Sequence, residues 1–166
     1  MIYKGNYSEW IDDNWIDYLL NNDGVPRPKT SSENPDTEEF RMATQAGYDL
    51  SDTYWYHYTN DNNSFTFPLT IPFDSDKNHM WWFIKMKPGM FMPMHKDPHA
   101  VEETNCKRYW MALQDYHPGH IHINGTQFLC DYKKGDVWEY GDAQVIHGAC
   151  NIGYIPRLVF NFSTFD

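Results

Sequence analysis

The chain has 166 residues, enough for one domain with a real core, and sets 23 acidic against 13 basic residues for a formal net charge of −10. That balance disfavours a nucleic-acid phosphate backbone, which calls for clustered Lys and Arg, but it leaves room for a small anion held by one buried Arg. No apolar run approaches the ~20 residues of a membrane span, and no basic-then-apolar leader pattern opens the chain.

Three cysteines, Cys106, Cys130 and Cys150, show no Cys-x-x-Cys spacing, so neither a disulfide framework nor a zinc knuckle is implied. A reducing cytoplasm is the expected setting. The Asn-x-Ser/Thr triplets at Asn62, Asn124 and Asn161 are then coincidental. Aromatic residues make up 17% of the chain, which suits a β-rich core around an aromatic-lined cavity.

Taken in order, Ser8 to Leu20 reads as an amphipathic helix capped by Ser8, with Ile11, Trp15, Tyr18 and Leu19 on one face. Val25 to Ser32 carries Pro26 and Pro28 and is expected to be an extended loop. A second helix is expected from Asn34, its cap, to Gly47, with Pro35 in its first position. Both helices are expected to buttress a sheet rather than carry chemistry. Tyr54 to Tyr58 is a candidate strand, and Phe65 to Phe73, broken by Pro68 and Pro72, is at most an edge strand.

His79 to Met86 is a stronger strand, and the Pro88–Gly89 turn is expected to send the chain back antiparallel through Phe91 to Asp97. Arg108 to Gln114 and His120 to Ile123 follow, and Asn124–Gly125 is a strong hairpin signal returning through Thr126 to Tyr132. Val137 to Tyr140, Gln144 to Cys150 and Arg157 to Phe165 complete the count. The last places Arg157, Val159, Asn161 and Ser163 on one face, and Leu158, Phe160 and Phe162 on the other. Six or seven short strands without βαβ alternation argue for an antiparallel sandwich or barrel. No repeat or second domain is visible, so residues 1–166 are read as one domain, with 1–64 as support and 65–166 as the β core.

The stretch Met86-Lys-Pro-Gly-Met-Phe-Met-Pro-Met-His-Lys-Asp97 ends in His95 and Asp97, two apart and so on one side of a strand end. Fifty-two residues after His95, His147 sits alone on an apolar run, and Arg157 opens the next run ten residues later. With Lys-Pro-Gly ahead of the first pair and His147-Gly-x-x-Asn-x-Gly-x-x-x-Arg157 at the end, the chain resembles the iron(II)/2-oxoglutarate-dependent oxygenases. The prolyl and aspartyl/asparaginyl hydroxylase branches are the most similar, and the resemblance runs from about Trp81 to Phe165.

The resemblance implies a mainly β double-stranded β-helix (a jelly roll, cupin-like) with N-terminal supporting helices. It implies an iron(II) site made by His95, Asp97 and His147, which act as metal ligands and catalytic centre, with 2-oxoglutarate and dioxygen as co-reactants. Two imidazoles and a carboxylate on one face leave three coordination positions open. Arg157 matches the residue that forks onto the far carboxylate of 2-oxoglutarate, a task suited to a guanidinium. If residues 151–154 turned a final hairpin, His147 and Arg157 would lie opposite one another on one wall. Arg108 loosely matches an Arg that some branches place near cosubstrate or substrate, a solvated strand end being as good an account.

His120 and His122 form His-x-His, which in cupins can bind zinc, but their place beside Asn124–Gly125 favours an exposed edge. His99 reads as loop, and Trp138 as packing. Asp97 stands where aspartyl hydroxylases have glycine, which favours the prolyl-hydroxylase pattern and disfavours a halogenase. Val159 stands where many members place Ser or Thr. The expected activity is hydroxylation of a peptide side chain or small molecule with decarboxylation of 2-oxoglutarate to succinate. The alternatives are a cupin-like module that binds metal or ligand without oxidising anything and a catalytically dead interaction domain.

Overall fold

The computed structural model describes residues 1–28, 53–59, 65, 67–95, 106–140 and 145–165. These form strands β1 (Ile2–Asn6), β2 (Val25–Pro28), β3 (Thr53–Tyr58), β4 (Asn78–Met86), β5 (Phe91–His95) and β6 (Lys107–Ala112). They continue with β7 (His120–Asn124), β8 (Gln127–Leu129), β9 (Asp136–Glu139), β10 (His147–Asn151) and β11 (Arg157–Phe165). A single 3-10 turn (Ser8–Trp10) and one helix, α1 (Asp13–Asn21), lie between β1 and β2. The second expected helix, Asn34 to Gly47, lies outside the described residues. No helix among the described residues is long and apolar enough to cross a membrane.

From β4 onward the chain alternates between two antiparallel sheets. The larger runs β1-β9-β6-β11-β4-β3-β2 and the smaller β5-β10-β7-β8. Each sheet thus takes every second excursion of the chain, with the β7–β8 hairpin staying in the smaller sheet. That winding is a double-stranded β-helix. It overturns two expectations. β4 and β5 are not a hairpin, because Pro88–Gly89 carries the chain from one sheet to the other. For the same reason β10 and β11 are not paired: β10 lies between β5 and β7, and β11 lies between β4 and β6.

The larger sheet is covered on both faces, which is why β11 is buried along nearly its whole length. Leu158, Phe160 and Phe162 join Phe83, Trp15, Leu19 and Tyr58 in the layer under α1. Val159 joins Ile84, Met86, Trp110, Tyr132 and Ala149 between the sheets. The site described below opens into this second layer.

The helix starts later than Ser8, because Asp12 rather than Ser8 caps it, accepting from the Asn14 backbone N at 2.9 Å. Its far end is held by Lys85, which is 2% exposed. The Lys85 Nζ donates to the carbonyls of Leu19, Leu20 and Asn22 at 2.7, 3.1 and 2.8 Å and pairs with Asp23 at 3.0 Å. Those carbonyls have no partner within the helix, and a cation there also opposes the helix dipole.

Val25–Pro28 is a strand rather than a loop; it is the sheet edge, where a proline's missing N–H costs no ladder bond. Among the described residues of 65–73 no strand forms. Lys85→Met should cost about 2–4 kcal/mol in urea unfolding, because it takes the ammonium from three carbonyls, of which only those of Leu19 and Asn22 keep a donor in the Tyr58 hydroxyl. Lys87→Met, which removes only the exposed partner of Asp23, should cost less than ~1 kcal/mol.

Candidate functional site

His95 and His147 face each other as register partners on β5 and β10, with ring centroids 4.4 Å apart. In each ring Nδ1 contacts a backbone carbonyl two residues earlier, Pro93 at 2.7 Å and Val145 at 3.2 Å. A carbonyl only accepts, so Nδ1 carries the proton and the lone pair sits on Nε2 of both rings. This is how a backbone carbonyl orients a metal-binding histidine. Burial, followed by the neighbouring His95 and then Arg108, pushes the His147 pKa down to about 3, against a partial rise from the Val145 contact. The ring is therefore neutral at physiological pH, as a ligand must be.

Gly148 explains how the strands come this close. A Cβ there would meet the Met94 Sδ at 2.8 Å and the Met92 carbonyl at 3.0 Å, where β5 and β10 shift register. Asp97, the third expected ligand, lies outside the described residues, as does His99.

Arg157 enters the space between the sheets from the first position of β11, opposite Met86. It is 2% exposed. Its Nη1 touches the Met86 Sδ at 3.5 Å, and its guanidinium lies 5.7 Å from the Trp110 ring centroid. Nε and Nη2 are buried without a hydrogen-bond partner. Those two N–H groups point the same way and make the side-on fork that grips a carboxylate. Burial lowers the guanidinium pKa, while the nearby Tyr132 and Tyr140 favour the charge. The Tyr132 hydroxyl lies close enough to the guanidinium to interact with it as a hydrogen-bonding group as well as through its partial charge. Among the described residues no carboxylate pairs with Arg157, and a guanidinium stays charged regardless.

Five ring and cation contacts join the two poles. Arg157 lies over Trp110, which stacks on His122 at 5.5 Å; His122 meets Tyr140 at 5.8 Å, Tyr140 meets His147 at 5.6 Å, and His147 meets His95. Arg108 sits over the Tyr140 ring at 4.9 Å, largely shielded from solvent, and burial lowers its pKa. It therefore belongs to the wall of this space rather than to a solvated strand end. Trp138 packs between Tyr3 and Trp110.

His120 and His122 are the main correction. They are 1% and 4% exposed, so the hairpin arm is not an exposed edge. On β7 the polar row His120, His122 and Asn124 faces the other sheet, while Ile121 and Ile123 are partly accessible. The usual rule, apolar inside, is inverted on this strand because its inner face borders a polar site. His120 Nε2 donates to the Ile155 carbonyl at 3.1 Å and so holds the crossover ahead of Arg157. His122 is held well below the usual imidazole range by burial, then by the Arg157 charge and by the neighbouring His147 and His95 rings, which compete with it for a proton. Sequence reasoning missed Trp110, Tyr132 and Tyr140 as site residues. Their only signal was the high aromatic content.

No family model matches the chain, and no curated protein matches it. Solved structures do. A Klebsiella pneumoniae protein described as uncharacterised with a double-stranded β-helix domain is 17% identical, covering 53% of this chain and 68% of its own, with a TM-score of 0.39. A Salinispora arenicola Cupin 2 conserved barrel domain protein is 12% identical over 68% of this chain and 76% of its own (TM-score 0.42). A predicted oxalate decarboxylase from Thermotoga maritima is 15% identical over 52% and 66% (TM-score 0.39).

The neutral buried histidines set a pH dependence. His120, His122 and His147 all have pKa values below 6.5 when folded, so between that value and their folded values the unfolded chain binds more protons. Stability of the metal-free protein should therefore fall as pH drops from about 6.5 towards 3. His122→Gln should reduce that slope by up to about 1.4 kcal/mol per pH unit, read from urea midpoints at several pH values.

Proposed function

We propose that this chain is an iron(II)- and 2-oxoglutarate-dependent dioxygenase that hydroxylates a C–H bond in a peptide side chain or small molecule. The observation that carries this reading is the buried side-on fork of Arg157, which meets no carboxylate among the described residues and is joined by contiguous rings to the His95–His147 pair. A buried cation without an anion is a standing cost to the fold, and a carboxylate ligand removes it. A lone metal site has no use for it.

His95 and His147 would hold the metal through Nε2, with Asp97 as the third ligand, and the fixed Nδ1–H tautomers suit that role. When bound, iron and 2-oxoglutarate supply the oxidising chemistry, splitting 2-oxoglutarate to succinate and carbon dioxide as dioxygen gives one atom to succinate and one to the substrate. The chain's own part is positioning. Arg157 forks onto the far carboxylate, while Trp110, Val159, Ile84 and Ala149 line part of the space between the sheets with apolar surface. Low local polarity strengthens the Arg157–carboxylate pair.

Anaerobic titration with iron(II) and 2-oxoglutarate, followed by the visible metal-to-ligand charge-transfer band, tests the reading. Arg157→Ala should weaken 2-oxoglutarate by ~30-fold or more, on the order of 2–5 kcal/mol, and leave iron affinity unchanged. Arg157→Lys should recover part of the loss, since an ammonium does not fork onto two oxygens. Ligand-free Arg157→Met should melt no lower than the wild type, because it removes an uncompensated buried charge. With iron, ascorbate and 2-oxoglutarate, the wild type should form succinate slowly without a prime substrate. A charge-transfer band without succinate would instead mark a cupin-like binding module.

A further inference from the structure

We propose that the Tyr140 hydroxyl is a hydrogen-bond donor to the carboxylate of the bound 2-oxo acid at the metal end of the site, with His122 as its acceptor when no ligand is present. This rests on the oxygenase reading above. Four contacts fix the ring. Tyr140 N donates to the Arg108 carbonyl at 2.8 Å, the Arg108 guanidinium covers one ring face, and the rings of His122 and His147 stand at steep angles to it. The ring is thus set beside the metal-binding His147, and only its hydroxyl retains freedom.

That hydroxyl contacts the His122 Nε2 at 3.4 Å, well beyond the ~2.8 Å usual for a hydroxyl donor. A bond so long is weak, and a phenolic O–H that rotates towards a carboxylate gains a shorter, charge-assisted one. Tyr140 is partly accessible, yet its pKa is pushed up to about 12 by desolvation, against the lowering influence of Arg108 and Arg157. A ligand reaching from the Arg157 fork to the His95–His147 pair passes this group, since His122 and Tyr140 link the two poles.

The test compares wild type, Tyr140→Phe and a trifluorotyrosine replacement at position 140, each loaded with iron(II) without oxygen. Phenylalanine keeps the ring and removes the donor; fluorination keeps the donor and strengthens it. Tyr140→Phe should raise the 2-oxoglutarate Kd about tenfold and shift the charge-transfer maximum, because the lost bond is to a metal-chelating oxygen. Iron affinity should hold. Trifluorotyrosine should shift the band in the opposite sense. Equal affinity and an unmoved band in both proteins would overturn the role of Tyr140 while leaving the oxygenase reading in place. No 2-oxoglutarate binding by the wild type would overturn that reading, and this one with it.

Discussion

Asn151 is the point through which both the fold and the site are tied. Its side chain is fully buried, and every polar atom in it is used. Nδ2 donates to the Met86 carbonyl at 2.9 Å and to the Ile155 carbonyl at 2.8 Å, while Oδ1 accepts from Gly153 N at 3.0 Å. Its backbone N donates to the Met90 carbonyl, and its own carbonyl accepts from Gly89 N. One residue thus joins the end of β4, the turn into β5, the end of β10 and the crossover into β11. These include two of the steps by which the chain passes between sheets, from β4 to β5 and from β10 to β11, and the same bonds decide where Arg157 enters. Gly119 and Gly153 complete the joint, for a Cβ on Gly119 would lie 2.3 Å from Gly153 N.

This arrangement has an electrostatic cost that runs against the rest of the molecule. The chain is strongly acidic as a whole, yet the space between its sheets holds Arg157 and borders Arg108, with neutral imidazoles beside them. An apolar residue at 157 would pack there without penalty. The polar row of β7 reflects the same compromise, because His120, His122 and Asn124 occupy positions that in an ordinary sandwich would be apolar. The outer layer under α1 makes no such concession. Its core is aromatic and aliphatic, and among the described residues the Lys85 cap is the buried charge beside it. Aromatic and aliphatic packing fills one face of the larger sheet, and the arginines and imidazoles gather on the other.

What the sequence made legible follows this division. The alternation in Arg157–Phe165 told both faces of β11 correctly, because both are packed and each has its own chemistry. Asn124–Gly125 marked the β7–β8 hairpin for a purely local reason. Sheet membership was not legible: Pro88–Gly89 and residues 151–154 look like hairpin turns, and nothing local distinguishes a turn within a sheet from a step between sheets. His122 was misread because a strand with a polar inner face and isoleucines outside mimics an edge. Tyr140 and Tyr132 were hidden by abundance, since one tyrosine among 12 carries no pattern until the fold brings it to a histidine or an arginine. Asp97 lies outside the described residues, so its part in the site stands on the resemblance.

Val159 shows how a local departure is accommodated by the surroundings. Oxygenases that the chain resembles often place Ser or Thr two residues after the anchoring Arg, where a hydroxyl adds a bond to the carboxylate. Here Val159 is buried among Ile84, Trp110 and Ala149, so its position adds packing rather than a donor. The hydroxyls near the guanidinium come from elsewhere, from Tyr132 and Tyr140, whose phenols both act on the Arg157 charge. Tyr132 reaches the space from the connection between β8 and β9, and Tyr140 from just beyond β9, so neither depends on the register of β11. A strand that carries only the Arg and an apolar wall can be packed tightly on both faces. The polar partners then come from segments flanking β9, two strands away in the same sheet, where their rings also form the wall.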